Sequence, residues 1–180
     1  MTGTRLPGAA VAILMAGLMG CETLYKAATE ERPLSVLVDD EVITTKIRKG
    51  FFDSVSQALS LSVFCHQGHV VLAGVVQDFK LGEQAVAVAR AVGGVKGVET
   101  YFLPGQPTPL RDVELGVKIK AKLIGDPALR VSQVDMVVIA GHAVLTGVVD
   151  RQEKIDQIVR HARAVEGVVA VKEFLQLKAR

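Results

Sequence analysis

The stretch Gly68-His69-Val70-Val71-Leu72-Ala73-Gly74-Val75-Val76 returns 73 residues later as Gly141-His142-Ala143-Val144-Leu145-Thr146-Gly147-Val148-Val149. The echo continues at the same spacing: Ala89-Arg90-Ala91-Val92 matches Ala162-Arg163-Ala164-Val165, and Val98 falls on Val171. Upstream the spacing is 72, which aligns Ile43, Ile47 and Phe51 with Leu115, Ile119 and Leu123. One residue is therefore inserted between the opening segment and the first glycine, in a loop or bulge. A unit repeated in this way reads as two small domains rather than one large one.

Around the glycine runs the pattern alternates. Leu59, Leu61 and Val63 stand against Ser60 and Ser62, a turn follows at His66-Gln67-Gly68, and an apolar run continues through Val76. The second copy passes from Leu129 and Val131 to Met136–Ile139, turns at Ala140-Gly141-His142 and runs to Val149. Each pair reads as a β-hairpin. Before each hairpin, apolar residues four apart (Ile43, Ile47, Phe51; Leu115, Ile119, Leu123) predict an amphipathic helix. Asp39, Asp40 and Glu41 in one copy, and Asp112 and Glu114 in the other, suit the positive end of that helix. Gly125-Asp126-Pro127 stops the second copy's helix.

A second helix follows each hairpin. In the later copy Ile155, Ile158, Val159, Ala162 and Val165 trace the apolar face, with Lys154, Asp156, Arg160 and Arg163 opposite. The earlier copy has the thinner stripe Ala85, Val86, Ala89 and Val92. Gly94 and Gly167 end these helices as C-caps, and Val95–Leu103 and Val168–Leu177 supply a last strand. The expected fold is α+β. Each unit runs helix, strand, strand, helix, strand, with two helices on one face of a three-stranded sheet. The other face is then either polar or packed on the sister repeat.

These residues resemble the BON domain family, whose signature pairs a Gly-x-Val-x-Leu-x-Gly-x-Val strand with an Ala-rich helix ending in Gly-Val and a Val-rich last strand. Gly68, Val70, Leu72, Gly74 and Val76 fill the first motif; Gly141, Leu145, Gly147 and Val149 fill it again, with Ala143 replacing one Val. Ala91, Gly94, Val95 and Val98, and then Ala164, Gly167, Val168 and Val171, fill the second.

The amino terminus reads as export machinery. Arg5 precedes an apolar stretch from Ala9 to Met19 that ends in Leu18-Met19-Gly20-Cys21. The stretch is too short for a bilayer, which needs ~20 residues, and fits a signal sequence. Its end resembles a bacterial lipobox, which makes Cys21 the lipidated first residue of the mature chain. Glu22 rather than Asp follows, so the resemblance favours sorting to the outer membrane, facing the periplasm. The expected organisation is a signal peptide over 1–20, a lipidated tether over 21–38, a first domain over 39–104, a Pro-rich linker over 105–110 and a second domain over 111–180. With lipid on Cys21, Cys65 is left as a small buried residue in a strand.

Signal, lipobox and two such domains together resemble the dual-BON periplasmic lipoproteins of Gram-negative bacteria. That resemblance implies a non-enzymatic role in outer-membrane integrity, with the second domain binding anionic phospholipid head groups. The charges allow it: from Arg111 onward there are twelve Lys or Arg and nine acids, against six and seven over 39–104. Lys118, Lys120 and Lys122 on the second domain's opening helix, with Arg130 beyond it, form the candidate phospholipid site. Each near-surface lysine contributes ~1 kcal/mol toward an anionic membrane. The same lysines also suit a plain solvated helix face.

Other chemistry finds little support. Cys65-His66-Gln67-Gly68-His69 is one strand and turn with no second cluster to complete a metal site. No nucleophile stands beside a base in a recognisable motif, and Gly93-Gly94 follows a helix, so it cannot cradle phosphate at a helix start. No cofactor is expected, and a formal net charge of +2 without Trp gives no sign of a nucleic-acid partner. The alternative to lipid is an envelope-assembly protein partner, docked on an open sheet face or along a strand edge.

Overall fold

The computed structural model describes residues 34–54, 61–129 and 134–178. Cys21, Leu59, Ser60, Arg130 and Val131 lie outside the described residues.

Each repeat builds the same unit. In the first, α1 (Leu34–Ser54) leads to β1 (Leu61–His66), β2 (His69–Val75), α2 (Phe79–Ala91) and β3 (Gly97–Leu103). In the second, α3 (Pro109–Ile124) leads to β4 (Val134–Ile139), β5 (His142–Val149), α4 (Gln152–Arg163) and β6 (Ala170–Leu177). β1 pairs antiparallel with β2, and β2 pairs parallel with β3, so the sheet order is β1-β2-β3. The second sheet repeats this as β4-β5-β6. Parallel neighbours require a crossover, which α2 and α4 provide. The predicted α+β class, with two helices per three-stranded sheet, describes both units.

Two boundaries differ from the sequence reading. The first helix begins by Leu34, inside the stretch read as tether, and α3 begins at Pro109, inside the stretch read as linker. The latter has a direct cause: proline at a first helical position gives up an amide that has no partner there and presets φ. Gly94 and Gly167 are not immediate caps either. They lie three or four residues past Ala91 and Arg163, at φ 97° and 93°. A side chain on them would press Ile43 or Leu115, so they turn the chain where it passes close to the opening helix.

The cores follow the helical stripes. Ile43, Ile47, Val63, Val70, Leu72, Ala85 and Ala89 form one, and Leu115, Ile119, Leu123, Leu145, Ile155, Ile158 and Ala162 the other. Burying a side chain such as Ile47 or Ile119 contributes about 2 kcal/mol. Lys154, read as solvent-facing, is instead buried, and its Nζ meets Asp150 Oδ1 at 2.8 Å. That hydrogen bond and charge hold the Asp150 carboxyl below the usual carboxylate range.

The sheet faces away from the helices meet each other. Val71, Ala73, Ile139 and Val144 form a third buried cluster, joined by Phe64, Tyr101, Val137 and Phe174. This explains why the central strands lack alternation: β2 and β5 are covered on both faces. Polar groups tie the same interface. The Tyr101 hydroxyl lies 2.7 Å from His142 Nδ1, and His66, almost wholly buried, has its Nε2 3.5 Å from Asp135 Oδ2. His66 was expected at a turn, and it lies at the domain junction because the residue before the tight turn points to the sister sheet.

Candidate functional site

Both hairpins close through a two-residue turn with φ positive at both positions: Gln67 and Gly68 (55° and 82°), and Ala140 and Gly141 (49° and 80°). Such turns match the right-handed twist of the strands. The amides of these turns are held from the opening helix. Asp40 accepts from the N–H of Gln67 and of Gly68, each at 2.8 Å, and lies 3.3 Å from the Cys65 Sγ. Asp112 accepts from the N–H of Ala140 and of Gly141, each at 2.9 Å, and from the Thr108 hydroxyl. The two aspartates therefore clamp helix to hairpin rather than merely complementing a helix end. Sequence reading missed this because the partners lie 27 to 29 residues apart. The faint signal was an Asp at the same place in each repeat.

The clamp fixes how α3 presents its outer surface. Leu115, Ile119 and Leu123 face the core. Leu110, Val113, Val117 and Ile124, spaced three, four and seven apart, run along the opposite side and are 89%, 66%, 64% and 61% exposed. A soluble helix normally places polar residues there. Of the candidate lysines, all exposed, Lys120 borders this stripe, Lys118 lies further round on the other side, and Lys122, one turn beyond Lys118, lies beside the core face. Lys118 pairs with Glu114, which keeps that carboxyl below its usual range, and Lys122 Nζ reaches the Ala164 carbonyl at 3.5 Å. The structure thus brings three of the four candidate basic residues onto one helix, whereas Arg130 falls outside the described residues. Leu115 belongs to the core, whereas Ile124 is exposed. The stripe Leu110-Val113-Val117 was readable from spacing but was masked by the nearby linker prolines.

The loop after α3 is fixed to α4 by Asp126 Oδ2 and His161 Nε2, 2.8 Å apart. The bond from His161, with a second from the Ala128 amide, holds the Asp126 carboxyl below its usual range. Among the described residues no group of three His, Cys, Asp or Glu could hold a metal ion, and no helix is long and apolar enough to cross a membrane. Cys65 is a buried thiol beside the Asp40 carboxylate.

The BON domain model matches residues 39–102 and again 111–179, nearly all of both units. The chain belongs to the BON domain family. Osmotically-inducible protein Y of Escherichia coli (strain K12) is 31% identical over 148 residues, covering 78% of this chain and 74% of that protein. Among solved structures, two of CdsD, a structural protein of the type III secretion system of Chlamydia trachomatis, align with 16% identity and a TM-score of 0.33. They cover 77% and 78% of this chain and 63% and 67% of theirs, so the chain spans under two thirds of the first. Within this BON protein the two domains keep the same clamp and the same buried face of the opening helix, and they differ on that helix's outer side.

Proposed function

We propose that this protein is a lipid-anchored, non-enzymatic envelope protein whose second BON domain meets anionic phospholipid through α3, and that it supports outer-membrane integrity from the periplasmic side. The observation that carries the reading is the exposed apolar stripe Leu110-Val113-Val117-Ile124 on a helix that also exposes Lys118, Lys120 and Lys122, with Lys120 at the stripe's border. An amphipathic helix of this kind lies in the membrane interface, with its apolar side chains at the acyl boundary and its lysines among the head groups. The lysines add ~1 kcal/mol each on an anionic surface. The acyl chains proposed on Cys21 hold the domain near the bilayer, so a weak site is sufficient. The relationship to an osmotically inducible protein fits a role in envelope stress.

The test is co-sedimentation of the non-acylated protein with neutral and anionic vesicles at two salt concentrations. Salt-sensitive binding to the anionic vesicles alone is expected, and neutralising Lys118, Lys120 and Lys122 together should weaken it. Unchanged binding after that triple change removes the site. For the anchor, palmitate labelling should be present in the native chain and lost in Cys21→Ser.

A further inference from the structure

The two domains differ in how the outer strand of each hairpin is guarded. The turn Ala140–Gly141 makes Ile139 and His142 a hydrogen-bonded pair, so along β4 the N–H and C=O of Met136 and Val138 point away from β5. No other strand pairs with this edge among the described residues. On β1 the outward positions are Val63 and Cys65, by the same register. There Arg48 Nη2 reaches the Val63 carbonyl at 3.5 Å, and Thr44, one turn earlier on α1, is buried with its hydroxyl donating to the Asp40 carbonyl. At the matching places α3 carries Lys120 and Gly116. Lys120 makes no hydrogen bond or ion pair to a described residue, and Gly116 has no side chain at all.

A cleft of about 340 Å³ lies against β4. Val113 and Gly116 of α3, Met136 and Val138 of β4, Val75 of β2 and Pro107 line it, with the polar Asp112 and Ser62 among the rest of its lining. Gly116 is unusual among the helical glycines. A side chain on Gly50 would strike Val88 at 2.6 Å and one on Gly82 would meet Phe102 at 3.0 Å, whereas one on Gly116 meets only Val138 at 3.8 Å. Packing does not require this glycine, although it costs the helix about 1 kcal/mol relative to alanine. It keeps the cleft open.

We infer that the free edge of β4, with this cleft, takes an extended apolar peptide segment of another protein as an added strand. An unpaired row of backbone donors and acceptors is satisfied by another backbone, not by an acyl chain. Its apolar lining is continuous with the interface already formed between the two sheets, since Val75, Val137 and Ile139 belong to both. Alternate side chains of the incoming strand would enter the cleft, and the others would face solvent near Lys120.

The full-length chain tests this with acetylated, amidated ten-residue peptides of alternating apolar and polar residues, each paired with a copy N-methylated on alternate backbone nitrogens. Binding by fluorescence anisotropy, with slowed hydrogen exchange at the amides of Met136 and Val138, is the expected result. Gly116→Leu fills the cleft while improving helix propensity, so it should fold at least as well yet lose affinity by about tenfold or more, as loss of two or more backbone bonds implies. Gly116→Ala keeps most of the space and should bind. N-methylation should abolish binding with side chains unchanged. Failure of every peptide to protect those amides, or equal affinity for Gly116→Leu, overturns the proposal. So does a dimer that Gly116→Leu dissolves, which would give the edge to a second copy. Val117→Thr, which changes the exposed stripe but no residue lining the cleft, separates the two surfaces: it should weaken anionic-vesicle binding and leave peptide binding unchanged.

Discussion

Superposed by sequence, α1 and α3 agree on the face that folds and disagree on the face that looks outward. Ile43, Ile47 and Asp40 have the counterparts Leu115, Ile119 and Asp112, with the same burial or the same bonds to the turn. Where α3 exposes Val113, Val117 and Ala121, α1 carries Glu41, Thr45 and Lys49; where α3 has Gly116 and Lys120, α1 has Thr44 and Arg48. The duplication has kept the opening helix's buried face and the clamp in both copies, while the second helix packs smaller residues in the first, Gly82 and Ala85 against Ile155 and Ile158. The outer surface has diverged in the middle of the helix, where only the second copy places Val113 and Val117; further along, Phe52 stands at the place of Ile124 and both are exposed. The binding role proposed for the second domain rests on that central difference.

The sharpest way to break the shared half of this comparison is to remove the clamp. Asp40→Ala leaves two turn amides and the Cys65 thiol without their buried carboxylate. Hydrogen bonds to a charged group are each worth about 1.5–3 kcal/mol, so a loss of about 3 kcal/mol is expected. Asp112→Ala should cost about half as much, because Asp112 is only half-buried and water can reach the freed amides. Urea unfolding of the two variants checks this. Equal losses would mean that burial does not set the strength of the clamp.

The divergent half is tested by exchange. Val113→Glu with Val117→Thr gives α3 the residues of α1, and should lower anionic-vesicle affinity by about tenfold or more. Each side chain gives up about 1 kcal/mol of partial burial at the head-group boundary. The reverse exchange, Glu41→Val, Thr45→Val and Lys49→Ala, should confer some vesicle binding on the first domain. Co-sedimentation of both variants reads the two directions, and a first domain that gains nothing would show that the stripe alone does not make the surface.

Much of this was legible in the sequence, for physical reasons that differ by element. The glycine-bounded hairpins and the helical stripes are local patterns, set by turn chemistry and by the periodicity of burial, and they appear twice. What escaped was long-range. The acids at Asp40 and Asp112 carry the composition of a helix start, and only the fold reveals that they bond amides in the hairpin turn. Lys154, one turn before Ile158, falls on the buried face by spacing, and its charge misleads until Asp150 is seen to pair with it. The candidate lysines were placed correctly on one helix, but the apolar stripe on that helix went unread, because Leu110 and Val113 follow prolines that suggest a linker. The cleft was not legible at all, since it depends on what Gly116 lacks.

A smaller effect sharpens the comparison at the turns. Gln67 and Ala140 both adopt positive φ, a region that disfavours most L-residues and suits Asn or Gly. Ala140→Asn should therefore stabilise the second domain by about 0.5–1 kcal/mol, raising its melting temperature by a few degrees. Calorimetry on the variant measures it. Gln67→Asn should act in the same direction in the first domain, since the clamp is otherwise the same.

The smallest expected effect lies where only the second copy has a titrating pair. Val88 stands in the first domain at the place of His161, so nothing there corresponds to the bond between His161 and Asp126. The Asp126 carboxyl is held below its usual range by that bond and by the Ala128 amide. A carboxyl depressed in the folded state stabilises above its unfolded pKa, about 3.9, and the contribution is lost as pH falls through the lower folded value. Acid should therefore release the loop after α3 only below about pH 4. Hydrogen exchange at Ala128 and Leu129, followed from pH 6 downward, should rise in that window in excess of the intrinsic rate. Asp126→Asn should remove the step, and the first domain should show no counterpart.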